Sequence, residues 1–229
     1  MAVTEEASSR SESIYLDLRR KLIRGYYTPN HRLKLSDLCA ESGVSVSVVR
    51  EALTRLAEQG LIKSQPNKGF YIPIYTAEEI NDLAFMRMQI EPLAVRLSIE
   101  RGTPAWEASV VATHHELRLT PRVPASVDLV SAEQWSRAHA AFHAACAAAC
   151  GSPRLIRLRQ RLYDEAEAMR QMAGLSGGRS RDVEGEHAAL AKAIVAHNAD
   201  SAAELTLKHI EITASLSVKA TLARSQGAR

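Results

Sequence analysis

The chain has 229 residues, 46% of them apolar and three of them cysteine, which suits one large or two modest cores and excludes a disulfide-built or disordered chain. No stretch approaches the roughly eighteen apolar residues of a membrane span, and the first thirteen residues are polar, so neither a membrane anchor nor a secretory leader is expected and the protein is placed in the cytoplasm. The net charge of +3 lies in residues 1–75, with 11 Lys and Arg against 8 Asp and Glu, whereas residues 76–229 hold 18 of each. Ile14, Leu18, Leu22 and Ile23 predict a helix from about Ser11 to Arg24, stopped by Gly25. Tyr26 to Asn30 is a turn leading into Arg32 and Leu33, and Asn30 tolerates a positive φ there. Leu35, Leu38 and Cys39 share one helical face, Gly43 supplies a turn, and Ser45 or Ser47 can cap the next helix. That helix, Val48 to Gln59, turns Val49, Ala52, Leu53 and Leu56 inward and leaves Ser45, Ser47 and Arg50 at its exposed start. Gly60 ends it. Leu61 to Lys63 begins a strand, Gln65 to Gly69 turns, and Phe70 to Ile72 returns, which outlines a winged helix-turn-helix over residues 1–75.

The run VSVSVVREALTRLAEQGLI followed by PNKGFYI resembles the DNA-binding signature of the GntR family of bacterial regulators. In that family the usual run is V-S-R-T-P-V-R-E-A-L, so this chain keeps Val44, Ser45, Val49, Arg50, Glu51, Ala52 and Leu53 but carries Val46, Ser47 and Val48 in the middle. An arginine can hold guanine by two hydrogen bonds, worth roughly 1–3 kcal/mol of discrimination, whereas Val46 offers only apolar contact. An operator unlike the family's common half-site is therefore expected. The resemblance implies that Ser45, Val46, Ser47 and Arg50 face the major groove, and that Asn67, Lys68 and Gly69 form a wing against phosphate or minor groove. Arg32 and Lys34 could add phosphate contacts. The bland alternative for Arg50 is an ion pair with Glu51 or Glu58.

From Thr76 onward the pattern is helical throughout. Thr76 to Glu79 reads as a capping box opening a helix that runs to about Arg101, and Gly102-Thr103-Pro104 ends it and starts another that extends to about Leu119. Thr120 to Ser126 is a loop, Ser131 to Cys150 an alanine-rich helix, and Pro153 sits in the first turn of a helix spanning Arg154 to Ala173. Gly174 to Arg179 reads as a flexible break before two last helices, Arg181 to His197 and Asp200 to Ala223. The short connections predict an antiparallel bundle over residues 76–229.

This arrangement, with R-x-x-x-E-P-L-A, AFH, EH and K-H, resembles the all-α FCD domain of the FadR subfamily, which binds ligands and dimerises. The resemblance implies metal ligands at His139, His143, His187 and His209, with His139 standing where the family usually has Asp, and makes Arg87 the candidate for pairing an effector carboxylate. The pattern carries the cluster independently. His139 and His143 lie one turn apart on the stripe of Trp135 and Cys146, His187 lies with Leu190, Ala191 and Ile194, and His209 with Leu205, Ile212 and Leu216. All four therefore point into one core, where unpaired polar rings would cost roughly 1–3 kcal/mol each. Zinc is the default ion, with nickel, copper or iron compatible. His31, His114, His115 and His197 are read as surface or packing residues. An intra-helical pair with Glu91 competes for Arg87, and tight helix packing describes Cys146 and Cys150 better than a redox or metal role.

These readings converge on a transcription regulator, most simply a repressor, that binds a pseudo-palindromic DNA operator as a homodimer and is controlled by a small organic acid at the metal site. Two alternatives stand beside it. One is a constitutive repressor with a structural metal; the other is a metal-dependent enzyme, which lacks an evident acidic general base in the histidine cluster.

Overall fold

The computed structural model describes residues 2–123, 128–173 and 181–227. The chain divides into two compact units, residues 1–75 with 167–172, and residues 76–166 with 173–229. The expected break at Gly174 to Arg179, and part of the loop expected from Thr120 to Ser126, lie outside the described residues.

In the first unit, α1 (Ala2–Ile23) begins well before the expected Ser11 and ends where Gly25 takes a φ of 65°. Helices α2 (Leu35–Ser42) and α3 (Val46–Glu58) are joined through Gly43, whose φ of 67° is the left-handed conformation that a side chain would strain. Ser45 occupies the N-cap of α3 without a side-chain bond to the helix; its hydroxyl lies 2.9 Å from that of Ser47 instead. The expected cap is therefore positional only, and α3 starts two residues earlier than the periodicity implied. Leu18, Leu22, Leu38, Val49, Leu53 and Leu56 form the core, closed by Leu61, Ile62 and Phe70. At roughly 1.5–3 kcal/mol for each fully buried large apolar side chain, this burial holds the helices together.

The wing strands are β2 (Lys63–Gln65) and β3 (Gly69–Tyr71), later by two residues and earlier by one than read from the sequence. Asn67 at φ 60° and Gly69 at φ 95° make the turn between them, with the Lys68 amide donating to the Gln65 carbonyl at 3.1 Å. A third strand, β1 (Arg32–Leu33), pairs antiparallel with β3 so that Arg32 faces Tyr71 and Leu33 faces Phe70. Two residues are too few to show a period of two, which is why it was read as part of a turn. Asn30 takes the expected positive φ, 63°.

The second unit holds α4 (Ala77–Arg101), α5 (Pro104–Leu119), α6 (Leu129–Ala147), α7 (Pro153–Met172), α8 (Val183–Val195) and α9 (Ala199–Gly227); residues 167–172 of α7 group with the first unit. The capping box is present: Thr76 Oγ1 accepts from the Glu79 amide at 3.2 Å, and the Thr76 amide donates to Glu79 Oε2 at 2.9 Å. Gly102 has no room for a side chain, since a Cβ there would stand 2.1 Å from the Trp106 ring. Asp128 caps α6 by accepting from the Val130 and Ser131 amides, which starts that helix ahead of the expected Ser131. Asp182 likewise caps α8. Helix α4 packs along α9, and α5 packs on both α6 and α8. Their shared core is built on Val95, Trp106, Val110, Phe142, Leu190 and Ile194.

Candidate functional site

At the first unit's exposed surface, the amino end of α3 presents Ser45, Val46, Ser47 and Arg50, with Val46 49% exposed while Val49 and Leu53 are wholly buried. A large aliphatic side chain left in water at a helix start is the kind of group a base methyl can cover. The ion-pair alternative for Arg50 does not form among the described residues, and the Glu51 carboxylate instead accepts from the Ser11 hydroxyl at 2.9 Å. Asn67 and Lys68 are exposed at the tip of the β2–β3 turn, beside the partly buried Gly69. Arg32 is exposed on β1 with its guanidinium 6.0 Å from the Tyr71 ring centre, so the third strand places it on the wing's own sheet. Lys34 is exposed at the N-cap of α2.

In the second unit the four histidines named from the sequence converge. One nitrogen from each of His139 and His143 on α6, His187 on α8 and His209 on α9 lies within 4.8 Å of every other. His143 Nε2 is 3.1 Å from His139 Nε2 and 3.3 Å from His187 Nε2. Bonds of about 2.1 Å to one ion would separate neighbouring ligand nitrogens by roughly 3.0–3.4 Å, depending on octahedral or tetrahedral angles, so the donor set fits a transition metal. The outward nitrogens are held. His139 Nδ1 lies 2.9 Å from the Tyr163 hydroxyl, and His209 Nδ1 lies 2.8 Å from Glu186 Oε2, which leaves Nε2 of each free to face the cluster. Arg181 fixes Glu186 in turn through its Nε at 2.6 Å and donates to Thr213 Oγ1 at 2.7 Å.

Burial first, and then the neighbouring His209 and His187, holds the His143 imidazole well below its usual range. Burial likewise pushes His187 down to about 2, and lowers His209 against the opposing pull of Glu186. Neutral imidazoles are the form that ligates metal. Beside them, Arg87 Nε donates to Glu91 Oε1 at 2.6 Å, so the competing intra-helical pair does form. Arg159 Nε lies 3.6 Å from the other oxygen of the same carboxylate. Both guanidiniums stand over the Tyr163 ring.

Arg159, Tyr163 and Glu186 were missed by sequence reasoning. The four-residue spacing of Arg159 and Tyr163 placed them on one face of α7, but no pattern indicated that this face meets α6. A cavity of about 370 Å³ reaches His187 and is also lined by Trp135, Arg118, Arg122 and His114. Cys146 and Cys150 are buried outside the histidine set, and burial pushes the Cys146 thiol up to about 12, far from a reactive thiolate. His31 stacks on Tyr27, and His197 lies 3.0 Å from a Glu107 oxygen.

Residues 10–72 match the gntR family of bacterial regulatory proteins, and residues 82–212 match the FCD domain. The chain belongs to the GntR family, FadR type. It is a DNA-binding transcriptional regulator and not an enzyme. It is 32% identical to the HTH-type transcriptional repressor GlaR of Escherichia coli over 86% of this chain and 90% of that one. It is also 32% identical to the HTH-type transcriptional regulator BphR of Paraburkholderia xenovorans, over 90% and 84% of the two chains. A GntR regulator structure from Rhodococcus sp. RHA1 shares the fold, with a TM-score of 0.76 and 23% identity over 92% of this chain and 98% of that one. No described helix of this GntR regulator is long and apolar enough to cross a membrane.

Proposed function

We propose that this regulator is a cytoplasmic, homodimeric repressor whose grip on a pseudo-palindromic operator is loosened by a small organic acid sensed at a metal centre in the helical unit. The observation that carries this reading is the buried convergence of four neutral imidazoles from three helices, on the same chain as a DNA-binding unit. A divalent ion, zinc by default, held by His139, His143, His187 and His209 supplies positive charge and open coordination positions to a carboxylate. With His139 where relatives carry Asp, no ligand offsets that charge, so an anion is drawn in more strongly. Arg87 keeps its ion pair with Glu91 and presents the rest of its guanidinium to the acid.

On the DNA, Arg50 with Ser45, Val46 and Ser47 reads the major groove, while Asn67, Lys68, Gly69 and Arg32 hold the backbone. One such head covers too few base pairs for useful specificity, and a two-fold dimer supplies the second half-site. Acid binding weakens operator affinity, so DNA must weaken acid binding by the same factor. Elemental analysis with native mass spectrometry of purified protein, followed by operator titrations with and without the co-purifying acid, tests the whole reading. Metal-free protein as isolated, or operator affinity indifferent to every acid that binds, would sink the sensing half.

The interlocked hydrogen bonds around the imidazoles favour one second reading, in which the ion is structural and the protein represses constitutively. Thermal stabilisation by metal with no acid-dependent change in operator affinity would select it.

A further inference from the structure

Two guanidiniums in the helical unit face a single carboxylate. Arg87, Arg159 and Glu91 have side chains only 11%, 5% and 4% exposed, so two positive charges and one negative sit almost out of water. Arg159 Nη2 is buried and makes no hydrogen bond among the described residues. An unmatched buried cation with an orphaned donor is costly in a folded protein, and such a group is retained where a partner arrives to satisfy it. Tyr163 ties this pair to the histidines: its ring centre lies 5.3 Å from Arg159 and 5.5 Å from Arg87, and its hydroxyl lies 2.9 Å from His139 Nδ1. The positive charge of Arg159 is felt at His143. The cluster adds no negative charge of its own, because all four of its members are imidazoles. A divalent ion there would add two more positive charges, and one carboxylate would offset only one of them.

We infer that the site takes a small dicarboxylate, with one carboxylate at the four-histidine centre and the other received by the orphaned Nη2 donor of Arg159. This inference rests on the reading of the cluster as a metal-centred sensing site. Arg159 is a binding residue that selects for the ligand's second charge, while Arg87, already engaged by Glu91, flanks it.

Calorimetric titration of the metal-loaded full-length protein with malonate, succinate and glutarate, each against its own monoamide, separates charge from size. For the diacid of matching length, the wild type should prefer the diacid over the monoamide by roughly ten- to a hundred-fold, the range of a charge-assisted hydrogen bond in a dry site. Arg159→Gln should bring that ratio close to one with metal content unchanged, and Arg159→Lys should keep part of it. Equal affinity for diacid and monoamide at all three lengths in the wild type overturns the inference without need of a variant. Discrimination that survives in Arg159→Gln overturns it as well. If neither acids nor amides bind the metal-loaded protein, the sensing reading itself falls, an outcome distinct from binding without preference.

Discussion

Arg50 and Lys68 are both exposed cations of the DNA-binding unit, yet their surroundings assign them different work. Arg50 stands beside two serines and a bare valine at a helix start, whereas Lys68 stands at the tip of a turn. Arg50→Ala should therefore lose roughly 1–3 kcal/mol of discrimination between operator and scrambled DNA. Lys68→Ala should weaken both about equally and lower the salt slope by about one. Fluorescence anisotropy at several salt concentrations measures both, and operator specificity retained by the Arg50 variant would displace α3 as the reading helix. The histidines allow a similar contrast within one residue type. His143 lies within 3.3 Å of two other imidazole nitrogens, while His114 packs its ring against Phe142. His143→Ala should strip metal from the purified protein and His114→Ala should not, as read by elemental analysis.

At the scale of elements, α4 depends on its first turn. The reciprocal bonds of Thr76 and Glu79 satisfy two amides that the helix itself leaves open, so Thr76→Ala should cost about 1 kcal/mol in a urea melt followed by circular dichroism. Helices α6, α8 and α9 carry an opposite liability, because the imidazoles they bring together are held neutral by burial. In the unfolded chain these groups take up protons below a pKa near 6.5, and in the fold they do not. The unfolded state therefore binds more protons there, and stability falls as pH falls through about 6.5, by up to roughly 1.4 kcal/mol per pH unit for each histidine kept neutral. Glu186 and Glu91 are shifted down, so their contributions are lost only below the ordinary carboxylate range and leave a window between pH 7 and 5 to the histidines. The melting temperature of chelator-treated protein should drop across that window. A flat profile would show that the rings are hydrated.

At the scale of the whole molecule, function couples a unit that reads DNA to a unit that gathers imidazoles. Sedimentation with a two-fold-symmetric operator should give two chains per duplex, and a single half-site should bind far more weakly. One chain per duplex at full affinity would remove the dimer from the proposal.

Much of this was legible along the chain because it depends on near neighbours. Gly43 and Asn30 declare their turns by the φ values they tolerate, Thr76 and Pro104 declare helix starts by the amides they leave satisfied, and His139 and His143 share a face by spacing alone. Arg50 was legible by its place in the family motif. What only the tertiary structure decided is which faces meet. Packing brings α7 against α6, so that Tyr163 buttresses His139 and Arg159 joins Arg87 over one carboxylate; packing sets Glu186 behind His209; and pairing with β3 turns Arg32 and Leu33 into a strand. Backbone conformation follows from interactions a few residues long, whereas the meeting of side chains from separate helices follows from how their buried faces fit, and no spacing within one helix encodes that.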